Sequence, residues 1–262
     1  MVRHYKLGIL GCGAIAEILL ENIILKGKLE NILIAGVYDK NPNAAEEFKK
    51  KFGVRIFEEV DDMIKECDII LECASQEAVF QYGEKILSNG RSLIVMSSGA
   101  FSNTSFLKKM RGIAREKNVK IYLPSGAILG LDGIKAGKFS ELERVELIVR
   151  KNPRSFKIRD EKEKVLYDGD AKRGVSLYPM NVNIASTISL AGIGFEKTRL
   201  KIISDPKVDR NVHEILAKGS FGEFRIKIKN VTSKRNPRTS ILAAYSVLAL
   251  LERLTSELEI GC

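Results

Sequence analysis

The sequence predicts an α/β protein, with an N-terminal parallel, doubly wound sheet and a second α+β domain built on a mixed or antiparallel sheet. Short, continuously apolar segments alternate with helix-length segments up to about residue 120, as in parallel sheets covered by helices on both faces. A glycine-rich turn directly follows the first apolar segment. Beyond residue 120, strand-like segments follow one another without intervening helices, which is typical of α+β domains.

The elements of the first region follow from their periodicity, since apolar runs indicate buried strands and amphipathic spacing indicates helices. A helix is expected after the glycine-rich turn, from Ile15 onward, and Ser75 is expected to cap another. The predicted strands are 7–10, 32–38, 54–57, 69–74 and 92–96, and the other predicted helices are 43–51, 61–67, one following Ser75, and 102–117.

The second region has fewer helices and more strands. Gly219 and Gly222 separate two strand-like segments and predict the turn of an antiparallel pair. The predicted strands are 119–123, 145–150, 199–203, 213–217 and 223–231, and the predicted helices are 183–190 and 240–258.

Composition restricts the class of protein. No apolar run approaches the roughly 18 residues of a membrane-spanning helix, and the first six residues lead straight into a strand, so we expect a cytoplasmic protein without membrane contacts. The net charge is +10, and residues 201–240 hold ten Lys/Arg against four Asp/Glu. We interpret this excess as a solvated strand face, because no nucleic-acid-binding motif accompanies it. Four cysteines without a CxxC pair and two histidines predict no metal site.

The turn after the first strand has the pattern of a Rossmann phosphate-binding loop. Gly11 permits a tight turn, Gly13 leaves room for a pyrophosphate, and Ala16 allows close helix–strand packing. The helix N-terminus offers N–H groups and a positive dipole end to the phosphates. We therefore expect Gly11, Gly13, Ala14 and Ile15 to bind a dinucleotide, an ordinary βα turn being the alternative.

Asp39 follows the second predicted strand, where a carboxylate can accept both ribose hydroxyls of the adenosine half. A carboxylate there repels a 2′-phosphate, so NAD is the expected cofactor. The adjacent Lys40 keeps NADP open. The alternative interpretation is that Asp39 only shapes the turn or caps the helix after Asn41-Pro42.

Two further loops follow predicted strands. Ala74 and Ser75 end the fourth strand, and Ser98 and Gly99 end the fifth. Ligands of open α/β sheets bind at the carboxyl ends of strands, so we expect these four residues to line the cofactor crevice. Small polar residues are also common turn formers, which leaves a purely structural role open.

His213 is the candidate catalytic residue, because the only other histidine, His4, lies in the N-terminal tail. A dehydrogenase benefits from a group that can exchange protons near neutral pH. A buried structural histidine is the alternative.

Several stretches, in the same order along the chain, resemble the L-aspartate dehydrogenase family. They are Gly11–Ile15, Glu72–Gln76, Ser97–Phe101, Leu123–Ile128 with Gly130–Asp132, Pro179–Ala185, Asn211–Ile215 and Asn236–Ser240. Together they cover nearly the whole chain and are specific, although no one of them is specific alone.

This resemblance implies oxidation of L-aspartate to iminoaspartate with NAD or NADP, the imine then hydrolysing to oxaloacetate or feeding NAD biosynthesis. It implies that His213 is the active-site histidine, and that Ala127 and Asn183 contact the cofactor, with Asn181 as the competitor of Asn183. It also implies a homodimer. The predicted domains are then 1–120 for dinucleotide binding, 121–235 for substrate and dimerisation, and a C-terminal helix within 236–262 that packs back on the first domain.

Three questions stay open at this level. His213 could take a proton from the substrate ammonium group or hold a carboxylate as a cation. Lys151 and Arg154 are candidates for binding the substrate carboxylates, although either could lie on a solvated surface. The alternatives to the whole assignment are another two-domain dehydrogenase, homoserine- or sugar-dehydrogenase-like, and a non-catalytic NAD-binding sensor or DNA-binding regulator, for which no spare recognition segment is visible.

Overall fold

The computed structural model describes residues 4–178 and 183–261. The chain divides into two compact units, each built on a five-stranded sheet. The first unit comprises the chain up to Pro124 together with Ala244–Ile260, and the second comprises Ser125–Ala243. One sheet is wholly parallel and the other is mixed, which confirms the predicted fold class.

The sheet of the first unit has the strand order β2-β1-β3-β4-β5. The chain moves outward from β1 to β2 and then returns past β1 to β3, so the carboxyl ends of β1 and β3 lie side by side at a topological switch point. The strands are β1 (Tyr5–Leu10), β2 (Ile32–Tyr38), β3 (Ile69–Glu72), β4 (Ser92–Val95) and β5 (Ile121–Tyr122).

Side-chain caps define the start of three helices in this unit. Asn41, Ser75 and Asn103 each accept a hydrogen bond from a backbone N–H two or three residues further on, which confirms the predicted cap at Ser75. The helices are α1 (Ala14–Leu20), which continues as a π-helical turn over Glu21–Leu25, α2 (Pro42–Phe52), α3 (Val60–Glu66), α4 (Gln76–Ser88) and α5 (Thr104–Glu116).

The strand predicted over residues 54–57 is wrong. Only Ile56 forms a parallel bridge, with Val37 of β2, and the two hydrogen bonds of that bridge run from Val37 N to Arg55 O and from Phe57 N to Val37 O. Val54 and Phe57 are buried in the core. The apolar pattern therefore reflects side-chain packing, without a ladder long enough to make a strand.

The sheet of the second unit has the order β10-β9-β6-β8-β7. Only β6 and β8 are parallel neighbours, and the predicted antiparallel pair that turns at Gly219 and Gly222 is confirmed. The strands are β6 (Leu142–Lys151), β7 (Lys164–Asp170), β8 (Arg199–Ser204), β9 (Asn211–Gly219) and β10 (Gly222–Asn230). The sequence did not predict β7, which has no buried residue to produce an apolar run.

One face of this sheet forms the core of the second unit. Val145, Leu147 and Val149 alternate along β6, and their side chains join those of β8 and β9. Helices cover this face, and Ala171, Val175, Ala185 and Ile188 belong to the same core. The helices of this unit are α6 (Leu131–Gly137), α7 (Ala171–Leu177) and α8 (Asn183–Ala191).

The last helix, α9 (Ile241–Thr255), belongs to the first unit from Ala244 onward. Its residues Val247, Leu250 and Leu251 are buried in the same core as the strands β1 and β3. Within the described ranges, no helix is long and apolar enough to cross a bilayer.

Candidate functional site

A cavity of about 320 Å³ in the first unit lies at the carboxyl ends of β1, β2 and β3. Its wall brings together five of the residues that the sequence predicted for cofactor binding, although they are far apart in the chain. These residues are Gly11, Gly13, Asp39, Ala74 and Ser75. The cavity thus occupies the switch point of the sheet, where nucleotides bind in folds of this type.

Gly11 is required by the fold itself. Its φ of +108° lies in the region that favours glycine, and an added Cβ would lie 2.8 Å from the Cβ of Ala74. Its N–H donates to the carbonyl of Tyr38 at 2.8 Å. Any side chain here would therefore separate the turn from the neighbouring strand end.

Gly13 differs from Gly11, because nothing in the protein requires it to be glycine. An added Cβ would have no neighbour nearer than the Cys73 carbonyl oxygen at 4.0 Å, and its φ of −98° suits any residue. It occupies the N-cap position of α1. The first N–H groups of a helix have no carbonyl acceptor within the helix, because no helical turn precedes them. The open space beside these donors fits a pyrophosphate, and a side chain would fill it.

Ala14 and Ile15 begin α1, and neither belongs to the cavity wall. Ala14 is buried and Ile15 is half-buried. What they can offer a phosphate is their backbone N–H groups in the first helical turn.

The Asp39 carboxylate has a fixed orientation at the cavity wall. Its Oδ2 accepts from the N–H of Cys12 at 2.7 Å, and its Oδ1 accepts from the N–H of Asn41 at 2.8 Å. Each carboxylate oxygen retains a second lone pair for a ribose hydroxyl. Asp39 therefore shapes the turn, as one interpretation held, while remaining placed for a ligand. Lys40 is exposed and only loosely paired with Glu77, at 3.9 Å.

Glu72, at the end of β3, was not among the predicted site residues. It is fully buried and accepts from the N–H of Ala74 at 2.9 Å and from the N–H and hydroxyl of Ser97 at 3.0 and 2.8 Å. Burial raises its pKa to about 7, against the effect of these hydrogen bonds. Glu72 thus ties together the loops after β3 and β4. The signal in the sequence was an acidic residue at the end of a strongly apolar strand.

The structure does not bring Ser98 and Gly99 to the cavity. Both are buried in a 3₁₀ segment over Ser98–Ser102, and neither lines the wall. The loop containing them is held by Ser97 and Glu72 as described above.

His213, on β9 of the second unit, is 2% exposed. Its Nδ1 lies 3.1 Å from the carbonyl oxygen of Ala127, which also accepts from Asn230 Nδ2 at 2.9 Å. Asn230 Nδ2 also lies 3.1 Å from Nδ1, and it already donates to the Ala127 carbonyl. Because a carbonyl oxygen only accepts, and this one lies 3.1 Å from Nδ1, we assign the hydrogen of the neutral ring to Nδ1. Nε2 then carries a lone pair, and it makes no hydrogen bond within the part of the chain that the structure describes.

Burial, together with a smaller contribution from the charge of Lys151, lowers the pKa of His213 to about 3, against the effect of the Ala127 hydrogen bond. The ring is therefore neutral near pH 7. A neutral Nε2 can accept a hydrogen bond or a proton, but it cannot hold a carboxylate as a cation does. The neutral ring does not fit the second of the two roles that the sequence left open, that of a cation holding a carboxylate.

The two cationic candidates for carboxylate binding have different environments. Lys151 ends β6 with its side chain on the core face and is 4% exposed. Burial lowers its pKa to about 8, with a smaller contribution from Arg238. Arg154 is exposed and lines a separate cavity of about 650 Å³ in the second unit. The solvated-surface interpretation is therefore wrong for Lys151 and holds for Arg154.

The remaining predicted residues also lie in the second unit. Ala127 is buried, and its carbonyl holds His213. Asn183 is the half-buried first residue of α8, whereas its competitor Asn181 lies outside the described residues. In those described residues, no group of three or more His, Cys, Asp or Glu side chains is placed to hold a metal ion.

Comparison with known proteins gives matches over both units. Residues 132–254 match the family model "Aspartate dehydrogenase, C-terminal", and residues 11–124 match "Homoserine dehydrogenase, NAD binding domain". The L-aspartate dehydrogenase of Methanothermobacter thermautotrophicus is 40% identical over 97% of both chains. The crystal structure of aspartate dehydrogenase from Thermotoga maritima has a TM-score of 0.81 at 30% identity and covers 99% of this chain and 100% of that one.

A nucleotide-binding sheet with this glycine turn, joined to a second unit with a buried histidine, defines a nicotinamide-dinucleotide-dependent oxidoreductase. Within that class, the chain belongs to the aspartate dehydrogenase family. A hyperthermophilic archaeal homoserine dehydrogenase, solved with NADPH, has a TM-score of 0.63 but only 15% identity over 99% of this chain and 100% of that one. That likeness extends to the fold alone. The family membership replaces the homoserine, sugar and sensor alternatives.

Proposed function

We propose that this protein oxidises L-aspartate to iminoaspartate with NAD or NADP, and that His213 is the catalytic base. The observation that carries the proposal is the buried, neutral imidazole of His213, whose Nδ1 is held by Ala127 and whose Nε2 is left to accept a proton. The sequence similarity to L-aspartate dehydrogenases over nearly the whole chain supports the substrate.

The reaction removes a hydride from Cα and a proton from nitrogen, so that a C=N bond forms. A bound nicotinamide cofactor, NAD or NADP, would supply the acceptor for this hydride. The ammonium group of the substrate must first lose a proton, because its nitrogen needs a lone pair to form the C=N bond. Nε2 of His213 would accept that proton while the Ala127 carbonyl holds Nδ1–H. A substrate carboxylate beside the ring would stabilise the imidazolium and offset the lowering of its pKa by burial and by Lys151. Water then hydrolyses the released imine to oxaloacetate and ammonia.

The residues that would hold the cofactor follow from the first-unit cavity. The N–H groups at the start of α1, with Gly13 leaving them accessible, would bind the pyrophosphate. Asp39 would accept the ribose hydroxyls and so favour NAD. Ala74 and Ser75 would complete this wall of the cavity.

We further propose a cytoplasmic homodimer. Phe139 is 97% exposed, and Leu129 and Phe221 are also exposed; such apolar side chains are often covered by a second subunit. Cys67 and Cys73 form no disulfide, which suits the reducing cytoplasm. Light scattering after size-exclusion chromatography should give the dimer mass, and Phe139→Lys should shift it toward the monomer. A monomeric wild-type protein would contradict this proposal.

The function is tested by following reduced nicotinamide absorbance with the purified protein and a substrate panel of L-aspartate, D-aspartate, L-homoserine and myo-inositol. We expect turnover with L-aspartate alone, and equal amounts of ammonia, oxaloacetate and reduced cofactor. Turnover of homoserine or inositol in place of aspartate would refute the proposed substrate while leaving the cofactor site intact.

A further inference from the structure

Lys151 occupies a position that the sheet otherwise gives to apolar residues. The inward positions of β6 are Val145, Leu147, Val149 and then Lys151, and all four are buried. Burying an ammonium group is costly, and methionine could fill the same volume without that cost. Lys151 is therefore the point at which the inward series of β6 changes from apolar to charged.

Lys151 belongs to a row of buried polar residues that crosses four strands. It pairs with Ser204 of β8. On its other side it follows the pair Arg150–Val212, which puts Asn211 of β9 beside it, and Asn211 pairs with Asn230 of β10. All four side chains are at most 4% exposed. We call Lys151, Ser204, Asn211 and Asn230 the polar row.

The polar row lies next to the candidate base and can hold a ligand. His213 is two positions along β9 from Asn211, so both side chains lie on the same face. The Ser204 hydroxyl is buried and makes no hydrogen bond among the described residues. Of the polar row, Asn211 lines the 650 Å³ cavity, whose wall also contains Arg154 and Arg210.

The charge of this region favours an anion. Burial and the cation of Arg238 both oppose the charge on Lys151, whereas a carboxylate brought to its ammonium group would favour that charge and provide charge-assisted hydrogen bonds. L-Aspartate carries two carboxylates, so its binding in the proposed reaction requires such a group near the base.

We propose that Lys151 is a substrate-binding residue that holds a carboxylate of the amino-acid substrate, with Ser204 as a second hydrogen-bond donor from the polar row. This inference rests on the proposed function for the identity of the substrate. Its physical content, a dicarboxylate site at Lys151, can be tested separately from turnover.

The test compares wild type with Lys151→Met, Lys151→Arg and Lys218→Met, the last being an exposed lysine on β9 of the same sheet. We expect Lys151→Met to raise the KM for L-aspartate about 10- to 100-fold, with a smaller change in kcat and an unchanged Kd for NADH. Lys151→Arg should recover part of the loss, and Lys218→Met should behave as wild type.

Binding without turnover is measured as the rise in Tm caused by malonate, a dicarboxylate without an amine. We expect malonate to stabilise wild type and Lys218→Met but not Lys151→Met. A KM increase no larger than that of Lys218→Met, or an undiminished malonate effect, would overturn the inference. Failure of wild type to oxidise aspartate, with the malonate effect intact and dependent on Lys151, would refute the proposed function alone.

Discussion

The cofactor cavity and the region around His213 are built from different kinds of chemical groups. The cofactor cavity of the first unit is built from backbone groups and small residues, with Gly11 and Gly13 shaping one turn at the end of one strand. The region around His213 is built from buried polar side chains on the apolar face of a sheet, contributed by separate strands and by the loop containing Ala127. A site made of backbone groups in one turn leaves a local pattern in the sequence. A site made of side chains from several strands can be recognised only when the register of those strands is known.

The largest expected effect concerns the base. His213→Asn should lower kcat for L-aspartate by about 10²- to 10⁴-fold, the usual contribution of a general base, because an amide cannot take the ammonium proton. The Kd for NADH, measured by fluorescence, should stay unchanged, since His213 does not line the cofactor cavity. His4→Asn, at the other histidine, is the matched control. Equal kcat for His213→Asn and His4→Asn would show that the second region is not catalytic.

The next effect separates two glycines of one loop. Gly13→Val should weaken NADH binding roughly 10- to 100-fold, as expected when a ligand loses about 1–3 kcal/mol of hydrogen bonding, without lowering the free energy of unfolding. Gly11→Ala should instead lower that free energy by about 1–3 kcal/mol, because of its positive φ and the close approach to Ala74. Titration with NADH and unfolding in urea provide the two measurements. If both variants changed NADH affinity and the free energy of unfolding alike, the proposed difference, that Gly13 serves the ligand and Gly11 the fold, would be refuted.

A smaller effect is expected for cofactor choice. Asp39→Ser removes the carboxylate that repels a 2′-phosphate, so the ratio of kcat/KM for NADP to that for NAD should rise about tenfold. Because the carboxylate also accepts from Cys12 and Asn41, some stability should be lost as well. Lys49→Ser is the control, since Lys49 is exposed on α2 and does not line the cavity. An unchanged ratio in Asp39→Ser would assign Asp39 to turn formation only.

The smallest effect on activity should come from Glu72→Gln, because Glu72 affects the pH dependence of the free energy of unfolding and not the reaction. Its pKa is raised from 4.5 to about 7 in the folded protein, so the folded state binds this proton more tightly than the unfolded state. The resulting stabilisation is complete below pH 4.5 and is lost as pH rises through 7, a change of the order of 1–3 kcal/mol.

Urea unfolding at several pH values tests this linkage. The free energy of unfolding of wild type should contain a decrease between pH 4.5 and 7 that Glu72→Gln lacks and that the exposed control Glu59→Gln keeps. Identical pH profiles for Glu72→Gln and wild type would place the linkage on another group.

The sequence predicted the fold class and most elements because their signals are local. Ser75 caps α4, and the glycines of the hairpin between β9 and β10 mark its turn. The segment 54–57 was predicted wrongly because burial of Val54 and Phe57 produces the same apolar pattern as a strand.

The candidate site was predictable only in part, for the same reason. Gly11, Gly13 and Asp39 were found from one motif and its context, but the polar row required the register of four strands. Lys151 and Ser204 are 53 positions apart and pair across β6 and β8. The alternation of β6 did contain a signal, because Lys151 follows three inward apolar residues. The predicted strand ended at residue 150, one residue before Lys151, so this signal was missed.

The proposed function requires His213 to be a neutral base with its hydrogen on Nδ1. Nitrogen NMR of ¹⁵N-histidine-labelled protein tests it directly, because the chain has only two histidines and a His4→Gln variant assigns the signals. We predict an unprotonated Nε2 and a protonated Nδ1 for His213 throughout the neutral range, with no titration near pH 6.5, since its pKa is lowered to about 3. A doubly protonated ring at pH 7, or a hydrogen on Nε2, would contradict the account.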